Sequence, residues 1–166
     1  MRMGPEATGG KYDMPEDLTF LMGKFPARLP GELRYARNHM WCCDDTGRFR
    51  FGFASYAVRL MQDVYFLDWC VDEGADVELK QQIGNIETSK AVADLFAPIA
   101  GTLICFNKEL LKDPSAINVD NYGPGWLFEM TGDTSVLMDV QGYYAFLEAG
   151  WENTQRLLKG QINTEE

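Results

Sequence analysis

Lys90 is the residue through which this chain could do chemistry. It sits in Ile86-Glu87-Thr88-Ser89-Lys90-Ala91-Val92-Ala93-Asp94, where Ser89, Ala91 and Ala93 are small and Glu87 and Asp94 bracket the amine with negative charge. A primary amine in so uncrowded a setting can take a covalent group and still enter another enzyme's active site. The same residues also describe an ordinary surface lysine in a turn, and residue types alone do not name a modification. Gly84 and Asn85 supply turn chemistry just upstream.

The remaining reactive side chains make a weaker case. Cys42, Cys43, Cys70 and Cys105 are too few for a disulfide scaffold in a chain of 166 residues. They form no C-x-x-C and no ligand-like pairing with the lone His39, so no structural zinc and no metal site is expected. Cys42 and Cys43 are adjacent, and on a strand they would face opposite sides, which leaves one exposed for a redox role. Cys70 and Cys105 lie in apolar runs and are expected in the core. His39 has no paired nucleophile, so a structural hydrogen-bonding role is expected and no catalytic residue is assigned.

Composition narrows the partners. Lys plus Arg number 15 against 25 Asp plus Glu, a formal net charge of −10. Nucleic acid is therefore excluded as a partner class, because binding it needs clustered positive charge. Basic faces on partner proteins fit better. No apolar run is long enough to span a membrane. The first residues resemble neither a signal peptide nor a transit peptide, so a bacterial or archaeal cytoplasm is expected; the oligomeric state expected is a monomer.

The elements that must hold Lys90 are mainly strands. Residues 1–11 are Gly-rich and expected to be mobile. Met14-Pro15-Glu16-Asp17-Leu18-Thr19-Phe20 and Leu29-Pro30-Gly31-Glu32-Leu33-Arg34-Tyr35 share a pattern of apolar residue, Pro, acid, Leu and aromatic. The first copy reads as an added segment packing on the domain. A turn over 44–47 joins a strand to Arg48-Phe49-Arg50-Phe51-Gly52-Phe53, whose alternation indicates one buried face. Ser55 can cap a helix through Asp63, with Tyr56, Leu60 and Met61 inward. Strands follow over 64–70, 77–86, 99–106 and 126–130, with Asn107 capping a helical turn over 108–112. Val140, Tyr144, Leu147, Trp151, Thr154 and Leu158 fall at helical spacing, with Asp139 as cap, Gly160 as terminator and a frayed end over 161–166. The division is an N-terminal extension over 1–32, partly mobile, a carrier domain over 33–131, and a helical segment over 132–166 packed on it.

Glu87-Thr88-Ser89-Lys90-Ala91-Val92-Ala93-Asp94 resembles the lipoylation motif of glycine-cleavage H proteins, usually Glu-Ser-Val-Lys-Ala-x-x-Asp. The stretch Leu95-Phe96-Ala97-Pro98-Ile99-Ala100-Gly101 looks like the family's next segment. Asn107, Pro114, Asn118 and Tyr122-Gly123-Pro124-Gly125-Trp126 follow its later order. The resemblance covers 33–131, with a weaker echo to Leu147. It implies a mainly β fold, a hybrid barrel-sandwich of the lipoyl- and biotinyl-carrier kind, with short helices, a C-terminal amphipathic helix and the modified lysine at a β-hairpin tip. It implies lipoic acid amide-linked to Lys90, with Glu87, Ser89, Ala91 and Asp94 as flanking recognition residues.

Such a chain carries and does not catalyse; a tethered arm gives its load a high effective concentration at each partner. The implied partners are a lipoate-protein ligase or lipoyl synthase system and dihydrolipoyl dehydrogenase. Beside them stands either glycine decarboxylase with aminomethyltransferase or a heterodisulfide-reductase-like complex. Two departures bear on that choice. The family's His-Glu-Trp is here His39-Met40-Trp41, and its Gly-Ile-Thr-Asp-Tyr-Ala is Gly52-Phe53-Ala54-Ser55-Tyr56-Ala57. The missing Glu is associated with the amine of the methylamine load, and Met40 cannot accept that hydrogen bond. The expectation therefore leans to the lipoate-binding branch that carries sulfur in bacterial sulfur oxidation. The alternative is the H protein of the glycine cleavage system, and the rival of another class is a thiol-based redox enzyme using Cys42 or Cys43.

Overall fold

The computed structural model describes residues 15–165, and side chains within it as far as 156. The Gly-rich stretch over 1–11 lies outside the described residues. Eleven strands form three antiparallel sheets among the described residues. β1 (Leu18–Met22) and β2 (Phe25–Leu29) make a hairpin of their own. Six strands run β3 (Arg34–Tyr35), β4 (Met40–Asp45), β5 (Arg48–Phe53), β11 (Phe128–Gly132), β10 (Gly101–Phe106) and β7 (Asp76–Val77). The third sheet runs β6 (Val64–Trp69), β8 (Gln82–Thr88), β9 (Val92–Phe96).

The two larger sheets close on one core. Val64, Leu67, Ile83, Ile86 and Leu95 from the three-stranded sheet meet Phe51, Phe53, Leu103, Phe128 and Met130 from the six-stranded one. The β4–β5 hairpin turns on Thr46 and Gly47, both at positive φ (55° and 86°), as a two-residue loop matching strand twist requires. Gly47 N donates to Asp44 Oδ1 at 3.0 Å, so the turn is tighter than the four residues expected. Phe51, Gly52 and Phe53 are all buried, because Trp41 covers the far face across the Trp41–Gly52 pair. The buried face expected from alternation, Phe49, Phe51 and Phe53, holds along the strand, but the opposite face is covered as well at Gly52.

Helix α1 (Ser55–Met61) begins at Ala54, and Ser55 does not cap it; Ser55 N donates instead to Tyr122 Oη at 3.0 Å. After the short α2 (Glu109–Lys112), reached through Asn107, comes α3 (Ala116–Val119), which the sequence did not signal. Helix α4 (Val140–Glu165) starts on Asp139, whose Oδ1 accepts from Gly142 N at 2.7 Å. It continues through Gly160, so that glycine is not its terminator and 161–165 are helical. Its buried stripe is Val140, Tyr143 and Leu147; Tyr144 and Trp151 are only partly covered, and the side chain of Leu158 lies outside the described residues.

A second, aromatic core lies under α4. Phe20 of β1 meets Tyr56, Tyr144 and Trp151 edge-on at 5.4–5.9 Å. Tyr35 stacks on Tyr143 at 4.4 Å. His39, in the left-handed region at φ 69°, has Nδ1 2.9 Å from Tyr143 Oη, the structural hydrogen bond expected of it. Burial depresses its pKa to about 4. The two similar lead-in segments lie against each other: Asp17 Oδ1 accepts from Gly31 N at 2.9 Å, and Gly31 leaves no room for a Cβ beside the carbonyl of Pro15. The β1–β2 hairpin therefore packs between α1 and α4, as an added segment should.

A buried charge was not anticipated. Glu129 on β11 reaches Arg50 at 2.9 Å and also holds Arg48. Burial pushes its carboxyl up, but the two guanidiniums outweigh that and hold it below the usual range. No helix among the described residues is long and apolar enough to cross a membrane.

Candidate functional site

Lys90 stands at the tip of the β8–β9 hairpin, in a turn made of Ser89, Lys90 and Ala91. Gly84 and Asn85 do not make this turn. They lie inside β8, where Gly84 meets a different need: a Cβ there would stand 2.4 Å from the Asp68 carbonyl oxygen and 2.8 Å from the Trp69 ring. The absence of a side chain lets β6 and β8 approach beside a register shift in β8.

Thr88 organises the tip. Its backbone N donates to Ala91 O at 2.9 Å, and its hydroxyl oxygen accepts from Lys90 N at 3.2 Å and Ala91 N at 3.3 Å. Sequence reasoning did not single Thr88 out; the signal available was the capacity of Thr to satisfy backbone amides two and three residues on. A further tie runs sideways, from Ser89 N to Asp63 O at 2.9 Å. The Asp63 segment is itself clamped by one side chain: Asn118 donates to Gln62 O at 2.7 Å and accepts from Val64 N at 2.9 Å. Gln62 sits at φ 63°, and Asn118 helps hold that conformation. Asn118 on α3 thus supports the lysine's turn from 28 positions downstream.

The other expected recognition residues are all exposed. Register places Glu87 opposite Val92 and Asn85 opposite Asp94, so both carboxylates project from the outward face of the sheet while Ile86 fills the core. Asp94 Oδ1 accepts from Gln82 Nε2 at 3.1 Å. At the tip Ser89 is tied through its backbone N to Asp63 O, and Ala91 through its backbone to Thr88. Among the described residues Lys90 makes no ion pair, so its amine is free and sterically clear.

Of the departures that weighed on cargo, Met40 and Ala54 are core positions, while the Asp of the family's second motif falls at Ser55, which is half-buried. Met40 is 1% exposed among Phe53 and its neighbours, and Ala54 is fully buried. Met40 and Ala54 serve packing in this chain. The cysteines separate as the strand geometry requires, with Cys42 buried and Cys43 exposed, but Cys70 is exposed and Cys105 partly so. Those last two expectations fail because β6 ends at Trp69, before Cys70, and because Cys105 lies on the outer face beside Arg48 and Glu129. Burial pushes the Cys42 thiol up to about 12. Burial and then Glu32 and Asp45 raise that of Cys43. A reactive thiol needs the opposite, an electropositive setting that favours thiolate. Among the described residues no group of three His, Cys, Asp or Glu side chains could hold a metal ion.

Comparison with known proteins agrees with this geometry. A family model described as glycine cleavage H-protein matches residues 33–149. The chain is 35% identical over 127 residues to the glycine cleavage system H protein of Pseudoalteromonas atlantica, covering 74% of this chain and 98% of that one. It is 34% identical to the H protein of Mycolicibacterium vanbaalenii, covering 72% and 96%. The crystal structure of a glycine cleavage system H protein from Mycobacterium marinum superposes with a TM-score of 0.62 at 29% identity, covering 72% of this chain and 98% of that one. The mainly β, lipoyl-carrier-like barrel-sandwich fold with a C-terminal helix is thereby established.

Proposed function

The chain belongs to the glycine cleavage H-protein family, and from that premise we propose that Lys90 is its lipoyl attachment site and that it serves the glycine cleavage system. Members of this family carry lipoic acid on a lysine and act as carriers, not catalysts. The observation that carries the assignment to Lys90 is positional: an exposed amine with no ion pair, at the tip of a hairpin whose turn Thr88 pins from below. When bound, the lipoyl group supplies a dithiolane that takes up electrons and a fragment together. The residues of this chain contribute presentation. Thr88 and Asp63 fix the tip, the core beneath Ile86 keeps the hairpin rigid, and Glu87 and Asp94 offer carboxylates to a cationic load.

Met40 and Ala54, on which a sulfur-carrying role would rest, are both interior positions that serve packing in this chain. The relatives reported above are named as H proteins of glycine cleavage, which supports methylamine shuttling. Its partners are then glycine decarboxylase, aminomethyltransferase, dihydrolipoyl dehydrogenase and the lipoate-attaching enzyme. The carrier unit is taken as 33–131, preceded by an N-terminal extension over 1–32 and followed by a helical segment over 132–166.

Intact mass tests the site. Lys90→Arg keeps the charge but removes the acyl-accepting amine, so the variant should gain no lipoyl adduct while the wild-type chain gains one. An adduct on the Arg variant removes the assignment. Exchange of labelled bicarbonate with glycine by the decarboxylase tests the pathway. The lipoylated chain should support it as an ordinary H protein does, and failure would restore the sulfur-carrying alternative.

A further inference from the structure

The sheet that presents Lys90 leaves an apolar row uncovered beside it. Strand β6 carries a bulge: Val64 pairs with Thr88 and Phe66 with Glu87, so Tyr65 and Phe66 together oppose one residue of β8. In regular alternation Phe66 would point inward with Val64. The extra residue reverses that, and Tyr65 and Phe66 are both outward, 62% and 54% exposed, while Val64 and Leu67 fill the core. On β9, Val92 is 66% exposed and faces Glu87. Phe66, Glu87 and Val92 thus form one cross-strand row over three strands, two residues or fewer from the turn that holds Lys90. Scattered exposed apolar side chains are ordinary, but two successive aromatics turned out by a bulge next to a functional residue are not.

We propose that Tyr65, Phe66 and Val92 form the docking face for the enzyme that attaches the lipoyl group, which meets it with an apolar recess rimmed by basic side chains. The inference rests on Lys90 being the attachment site. Reach selects this occupant among the partners. Attachment requires the Lys90 amine to displace the leaving group of an activated acyl carboxylate: the C–N bond forms, the bond from the acyl carbon to the leaving phosphate oxygen breaks, and a proton passes from the nitrogen to solvent. An unmodified lysine extends only ~6 Å from its Cα. The attaching enzyme must therefore close on the hairpin itself and cover the row beside the tip, whereas later partners meet a longer arm. Charge points the same way. Glu87 lies in the middle of the row in a chain of net charge −10, so a basic rim around the partner's recess is complementary.

The experiment uses the full chain as acceptor for an ATP-dependent lipoate-protein ligase, with adduct formation followed by intact mass over a range of acceptor concentrations. The double variant Phe66→Ser/Val92→Ser should melt as the wild type does and lose about tenfold or more in kcat/KM, through KM. The control Leu21→Ser/Leu111→Ser, which removes two exposed apolar side chains outside the three-stranded sheet, should leave both constants unchanged. A well-folded Phe66→Ser/Val92→Ser chain with wild-type KM overturns the docking face and leaves Lys90 as the site. An equal loss in the control overturns it as well, because any exposed apolar group would then serve. A wild-type chain that gains no adduct at Lys90 overturns both the site and the face.

Discussion

The Lys90 tip and the aromatic core under α4 are held by different forces. At the tip, a single threonine side chain and two backbone contacts define a turn with no buried side chain in it. Under α4, the rings of Tyr35, Tyr143, Phe20 and Tyr56 pack edge-on and stacked with Leu147 among them, and His39 is half-buried against Tyr143. The difference suits the work. A lysine that must enter foreign active sites has to stand clear of its own protein, so its position is fixed by hydrogen bonds from beneath. The aromatic core has no such requirement and stabilises through buried area. Local order and global stability are thus separable here.

Truncating the aromatic core should produce the largest effect. Tyr143→Ala removes a fully buried ring stacked on Tyr35 and the hydrogen-bond partner of His39, and should cost about 3–5 kcal/mol. Denaturant unfolding measures it. The residual folded protein should still accept a lipoyl group at Lys90; loss of acceptance in proportion to nothing but the substitution would show that the two regions are coupled. Trp151→Ala should cost less than that, because Trp151 is only partly buried.

Acid should act on the same core. The folded-state pKa of His39 is depressed to about 4 by burial, against 6.5 for the unexposed-to-burial, unfolded side chain. Between those values the unfolded chain binds the extra proton, so stability falls as pH drops from above 6.5 toward 4. The full span is worth about 3 kcal/mol. His39→Gln should flatten that part of the stability profile, and a profile with the wild-type slope would show that His39 is not the group responsible.

Asn118 tests the tip. Asn118→Ala leaves Val64 N and Gln62 O without side-chain partners and should cost about 1–3 kcal/mol. Its signature is local: the Ser89 amide, bonded to Asp63 O, should exchange with solvent faster, while amides of α4 near Tyr143 should change little. Equal acceleration at both places would refute the separation of the two regions.

The lysine, its small neighbours and its acidic brackets were legible in the sequence because they are consecutive residues, whereas the turn expected at Gly84 and Asn85 lies inside β8. So were the β4–β5 hairpin, the Asp139 cap and the opposite faces of Cys42 and Cys43, each set by a few consecutive residues. Other features depended on partners far along the chain. Nothing near Met40 says that a neighbouring sheet will bury it, and nothing near Asn118 says that it will clamp the segment under Ser89. The outward turn of Tyr65 and Phe66 likewise follows from a bulge that exists only once β6 pairs with β8. Local sequence marked an uncrowded lysine between acids, and the resemblance to a known family implied that a hairpin would present it. Tertiary pairing decided which side chains support that lysine and which face it shows to a partner, because register and burial are properties of strands meeting and not of either strand alone.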